Sequence, residues 1–159
     1  MSLKDDVNAA LADMGQKVKF SVQPLDAEGQ TRLMVPIPSA LRVLREGQLV
    51  IDVRVSRKGD TFALFTPVAG IKPPATQAFF DALLRRQFVN GQSNGLTYAL
   101  GMATEGYDAL VAQAHWILPT ITPQEFYQFY QRFLAATLSV IDDVNQMAKT
   151  APNVEAIHP

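Results

Sequence analysis

The chain has 159 residues, 48% hydrophobic and 18% charged, with no cysteine and a formal net charge of −1. That length suits one domain with a core of its own, and the balance of apolar and charged residues excludes a disordered chain. The lack of cysteine excludes disulfides, thiol nucleophiles and cysteine metal sites, and the near-neutral charge argues against a broad nucleic-acid footprint. No apolar run approaches the roughly 20 residues of a membrane span, and the N-terminus is amphipathic without a leader pattern. The expectation is a cytoplasmic protein with neither membrane nor nucleic acid as partner.

In chain order, Leu3, Val7, Ala10, Leu11 and Met14 recur at helical spacing and predict a helix over 4–15, with Gly15 able to end it. The period then changes. Val18, Phe20 and Val22 alternate with Lys19, Ser21 and Gln23, the pattern of a half-buried strand. "DAEGQ" is a turn, and Leu33, Val35 and Ile37 share one face of the next strand. Pro36 and Pro38 have no N–H for a ladder, so that strand lies at an edge or ends there. "SALRVLREG" suggests no more than a single helical turn. In "QLVIDVRVSR", Leu49, Ile51, Val53 and Val55 oppose Asp52, Arg54 and Ser56. A two-residue turn at Lys58-Gly59 sets Val55 against Phe62 and Val53 against Leu64, so the apolar faces coincide.

Pro73-Pro74 opens a middle helix whose apolar face is Phe80, Leu83, Leu84 and Phe88, with Asn90-Gly91 suited to its C-terminal cap. Two strands follow. Leu96, Tyr98, Leu100 and Met102 line one face of the first; Leu110, Ala112, Ala114, Trp116 and Leu118 line one face of the second. A three-residue loop, Thr104-Glu105-Gly106, sets Leu100 against Leu110 and Tyr98 against Ala112, whereas a two-residue loop would mix the faces. Thr122-Pro123-Gln124-Glu125 is a capping box with proline at the first helical position. In the final helix Phe126, Tyr130, Phe133, Thr137, Val140, Ile141 and Val144 form an apolar arc, widened by Tyr127, Leu134 and Leu138. That arc is broader than the roughly 100° stripe of a simple surface helix.

The fold class is α+β: a single antiparallel β-sheet with helices packed on it, in the order α-β-β-β-β-α-β-β-α. Residues 1–150 form one domain and 151–159 a flexible tail.

Catalytic chemistry is weakly represented. His115 lies on a strand with no neighbour in sequence to act as its partner, and His158 is in the tail. Two histidines and no cysteine make a zinc site improbable, and Asp5-Asp6 and Asp142-Asp143 read as solvated surface. "GQSNG" lacks the Gly-Lys-Ser/Thr ending of a phosphate loop and follows a helix instead of preceding one. Arg85 and Arg86 near a helix C-terminus complement its dipole. The concentration Phe126, Tyr127, Phe129, Tyr130 and Phe133 is core by default; the alternative is that part of it, with Phe126, Tyr127 and Tyr130, is an interface. At the edge strand, Val35 and Ile37 would contact an extended partner segment if the edge is used for docking; the competing reading is that proline only protects it.

The run "LLRRQFVNGQSNG", the hairpin "LTYALGMATEGYDALVAQAHWILP" and the helix "TPQEFYQFYQRFLAATLSVID" resemble the Tir-chaperone (CesT-like) superfamily, which includes class I type III secretion chaperones and YbjN-like bacterial proteins. The resemblance is clearest over 76–145. It implies a homodimer that binds a protein client, an effector or a regulatory protein, with no catalytic residues and no cofactor. The leading reading is a non-enzymatic dimeric module holding a partner segment on hydrophobic surface. A YbjN-like regulatory domain is the alternative, and a small ligand-binding enzyme or hydrolase using Arg85, Arg86, His115 or the carboxylates is the alternative of another class.

Overall fold

The computed structural model of the chain describes residues 1–38, 47–71, 97–104 and 107–150, together with Gln77, Asp81 and Leu84. Helix α1 spans Leu3–Lys17. Ser2, outside the helix expected from periodicity, is its N-cap: its hydroxyl accepts from the Asp5 N–H, and the Asp5 carboxylate accepts from the Ser2 N–H at 2.9 Å. The helix runs two residues past Gly15 and is closed by the Val18 N–H donating to the Met14 carbonyl. Its predicted apolar stripe, from Leu3 to Met14, is buried.

Five strands follow: β1 (Gln30–Pro36), β2 (Gln48–Val55), β3 (Phe62–Ile71), β4 (Thr97–Thr104) and β5 (Tyr107–Trp116). They form one antiparallel sheet in the order β1-β2-β3-β5-β4, which leaves β1 and β4 at the edges. The C-terminal helix α2 spans Pro123–Thr150. Its capping box is formed as the sequence predicts. Thr122 donates to the Glu125 carboxylate at 2.8 Å, and the Glu125 N–H donates back to the Thr122 hydroxyl.

One core explains the layering. The buried faces of β1, β2, β3 and β5 join the stripes of α1 and α2 in a single cluster that includes Val7, Leu11, Leu33, Ile51, Leu64 and Phe133. Both helices therefore cover the same face of the sheet. The predicted arc of α2 is nearly all there, and Gln124, Gln128, Gln131, Ser139, Asp142 and Gln146 are exposed opposite it. Its breadth comes from packing against both the sheet and α1. Phe62 anchors one end of the core, with Phe126 at 5.6 Å, Phe129 at 5.5 Å edge-on and Trp116 at 6.1 Å.

The expected registers hold, but the turns differ in form. Val55 opposes Phe62 and Val53 opposes Leu64. Between them lies a longer loop, in which the Gly59 N–H donates to the Ser56 carbonyl and the Ser56 N–H to that of Thr61. A four-residue loop centred on Lys58-Gly59 gives the same pairing as a two-residue one, so the pattern of faces could not tell them apart. Leu100 opposes Leu110 and Tyr98 opposes Ala112, but Thr104 pairs with Tyr107. The odd residue thus sits as a bulge in β4 between Gly101 and Thr104, not in the loop.

Residues 18–22, expected as the first strand, bend at 18–20 after the extended Val18 and join no ladder. The segment runs back along α1: Val22 meets Gly15, the Leu25 N–H donates to the Asn8 side chain at 2.8 Å, and Lys4 donates to the Ala27 carbonyl. Val18, Phe20 and Val22 keep their alternation and pack on the core half-buried. Gln77, Asp81 and Leu84 are helical and exposed, with Gln77 donating to Asp81 at 2.9 Å. Leu84 therefore faces outward instead of sharing a buried face. The rest of the expected middle helix, the turn at 39–46 and the tail at 151–159 lie outside the described residues.

Candidate partner-binding surface

The β1 edge is built by a turn. The Asp26 carboxylate accepts from the Glu28 and Gln30 N–H groups at 2.9 Å each, and Gly29, at φ 80°, takes the left-handed position that favours glycine. The Asp26 N–H donates to the Gln30 carbonyl at 2.8 Å. Continued as a hairpin, that contact would pair Pro24 with Arg32, Val22 with Met34 and Phe20 with Pro36.

Two facts block this ladder. Pro24 and Pro36 have no N–H to give at the two outer pairs. The register would also turn Phe20 and Val22 toward the outer face beside Met34, away from Leu33 and Val35. Packing on α1 buries them instead, and the hydrophobic term decides the outcome.

The consequence is an edge with no further strand among the described residues. The Val55 N–H donates to the Gly29 carbonyl and the Ile37 N–H to the Gly47 carbonyl, so the odd-numbered residues of β1 carry its bonds to β2. The even-numbered residues point their backbone groups outward. Gln30 is met by Asp26. Arg32 and Met34 each present an N–H and a C=O, and Pro36 a C=O, with no strand beyond them among the described residues. The missing N–H of Pro36 thus costs nothing in the sheet.

The outer sheet face, opposite the helices, begins at this edge. Arg32 Nε donates to Asp52 Oδ1 at 2.7 Å across the β1–β2 pair, and Arg54 Nη2 reaches Asp52 Oδ2 at 3.4 Å. The side chains of Arg32 and Arg54 are 61% and 51% exposed, whereas Asp52 is 20% exposed, so two guanidinium groups share one sheltered carboxylate. The hydrogen bond that Arg32 donates to the Asp52 carboxylate raises the Arg32 pKa above its ordinary value. Arg54 lies over the Phe65 ring at 5.4 Å, and His115 meets that ring edge-on at 6.0 Å. Met34, Val50, Pro67 and Val111 fill the same face half-buried.

The sequence-predicted residues divide. Val35 is 3% exposed, Phe126 0% and Tyr130 3%, all inside this chain's own core. Ile37 and Tyr127 are half-buried. Tyr127 stacks on Tyr130 at 6.2 Å and lies under the Lys17 ammonium at 5.4 Å. Edge position and proline pattern marked β1, but the side chains it offers outward are Arg32 and Met34. The signal for them lay in register: once Leu33 and Val35 face the core, Arg32 and Met34 must face away. Asp52 and Arg54 were already legible as the polar face of β2. Arg85 and Arg86 lie outside the described residues. His115 is exposed and touches Phe65, and no three His, Asp or Glu side chains group as a metal site among the described residues. No described helix is long and apolar enough to cross a membrane.

No protein-family model matches the chain, and no curated protein matches it. Solved structures do. The ExsC–ExsE complex aligns with a TM-score of 0.61 at 16% identity, over 86% of this chain and 92% of that one. YbjN from E. coli, a candidate transcription regulator, aligns with a TM-score of 0.61 at 16% identity, over 90% and 91%. The HopA1–SchA chaperone–effector complex aligns with a TM-score of 0.57 at 11% identity, over 88% and 93%. At such identities the likeness is one of fold, and the chain has the secretion-chaperone-like and YbjN-like α+β fold that its sequence resembles.

Proposed function

We propose that this protein is a non-enzymatic binding module that holds an extended segment of a partner protein, an effector or a regulatory protein, at the β1 edge. The observation that carries this reading is the pair of outward-facing residues Arg32 and Met34, whose backbone groups the chain's own segment 18–25 is prevented from covering by Pro24 and Pro36. An added strand gains main-chain hydrogen bonds there, and side chains on alternate faces give it selectivity. The likeness in fold to a chaperone–effector complex supports a protein client. The equal likeness to YbjN supports, as a second reading, a regulatory role in which the same edge receives a signalling partner.

The homodimer is part of the proposal. Its support is the resemblance, the position of β4 at the second edge of the sheet, with no strand beyond it among the described residues, and the outward-facing Leu84, 41% exposed. The broad arc of α2 gives it no support, because that arc is used within the chain. Met34→Pro tests the docking edge. It removes one outward N–H at a position like that of Pro36, and melting checks that the fold survives. A co-purifying partner that binds the folded variant with undiminished affinity would place the contact elsewhere.

A further inference from the structure

The charge on the outer face at β1 is unbalanced in a specific way. Arg32 uses Nε and Nη2 toward Asp52, at 2.7 and 3.4 Å, and Asp52 also serves Arg54. A guanidinium carries five N–H donors, so among the described residues Arg32 keeps donors without a partner on its open side. It stands on the edge strand itself, 61% exposed. Next to it on the same face, two residues along, Met34 is half-buried against its cross-strand partner Val50. Side chains directly opposite one another across an antiparallel pair lie about 4.5–5.5 Å apart at Cβ, close enough for charge and apolar matching.

We propose that the segment received at the β1 edge is an acidic one: it carries a carboxylate beside Arg32 and an apolar side chain beside Met34, two residues apart on the outer face. This rests on the edge-docking reading above. Asp52 shows the geometry from the inner side, where a carboxylate directly across the ladder from Arg32 takes its Nε. A carboxylate on an added strand would take the mirror position and offset the surplus positive charge of Arg32, Asp52 and Arg54. The unbranched Met34 side chain adapts to the apolar neighbour.

The probe is the peptide acetyl-Thr-Gln-Thr-Glu-Thr-Val-Thr-Gln-Thr-amide, with a second in which lysine replaces glutamate. A third keeps the glutamate but is N-methylated at alternate residues, so that it cannot form a ladder on one side. Binding to the full chain is followed by NMR titration at low salt. The glutamate peptide is expected to bind roughly fivefold more tightly than the lysine peptide, the scale of one cross-strand charge pair gained against one like-charge pair. Shifts should centre on the Arg32 and Met34 amides, and N-methylation should abolish binding. Arg32→Glu should reverse the preference and Arg32→Gln should remove it. Equal binding of both unmethylated peptides, with N-methylation still blocking, would overturn the acidic segment and leave edge docking standing. A glutamate preference that survives N-methylation would also overturn the inference, since charge would then act without strand addition. No binding by any peptide would remove the edge reading and this one with it.

Discussion

Thr66 and Thr137 are fully buried, and their hydroxyls have no hydrogen-bond partner among the described residues. A buried hydroxyl left unpaired costs about 1–3 kcal/mol, and an apolar isostere removes that cost. Thr66→Val and Thr137→Val are therefore expected to raise stability, by about 1 kcal/mol each, measured as a rightward shift in urea midpoint; a leftward shift would mean that the hydroxyls are satisfied in solution. Tyr130 gives a pH prediction. Burial, and to a smaller extent Tyr127, pushes its hydroxyl up to about 12 from an ordinary value of 10.0. A raised folded-state pKa gives stability that is full below the unfolded value and lost as pH climbs through the folded one. Stability should fall between pH 10 and about 12, and Tyr130→Phe should flatten that limb. Burial of the ring was legible from helical spacing. The choice between core and interface for Tyr130 was not, because a period reports a shared face and not what covers it.

Capping is the element-scale feature that the sequence expresses most directly, since four residues decide it locally. Hydrogen bonds from Thr122 hold the Glu125 carboxyl below its ordinary pKa, and those from Ser2 do the same for Asp5. A depressed carboxylate gives stability that is present above the unfolded pKa and lost as pH falls through the folded one. Acid unfolding should therefore include the loss of both caps, and Glu125→Gln should make the acid limb shallower. Thr122→Ala should cost about 1 kcal/mol at neutral pH. Register was also readable, because mixing faces would have buried polar residues on β2 and β5. The segment 18–22 departs from its strand pattern for the opposite reason. Its alternation is real, but alternation requires only one buried side, and α1 supplies it without a ladder. What excluded the ladder, Pro24 and Pro36 at the hydrogen-bonding positions, follows from a turn register set by Asp26 and Gln30 that no periodicity encodes. Val35→Asp would place a charge at a site 3% exposed, so it should unfold the protein instead of reporting on docking; circular dichroism separates the two.

Among the described residues, the two long helices cover one face of the sheet, and no further element covers the other face or the β1 edge. The sequence showed the α+β class and the resemblance that the solved structures bear out in fold. It did not show which surface stays free, since that depends on strand order and on how segment 18–25 returns along α1. Sedimentation over a concentration series tests the proposed homodimer, and a chain that stays monomeric throughout would remove it. The docking edge is tested most directly by amide hydrogen exchange at Arg32 and Met34, with and without a co-purified partner. In the free chain both amides should exchange fast while those of Leu33 and Val35, bonded to β2, exchange slowly; on partner binding Arg32 and Met34 should become protected. Slow exchange at Arg32 and Met34 in the free chain, or fast exchange unchanged by a bound partner, would contradict the account.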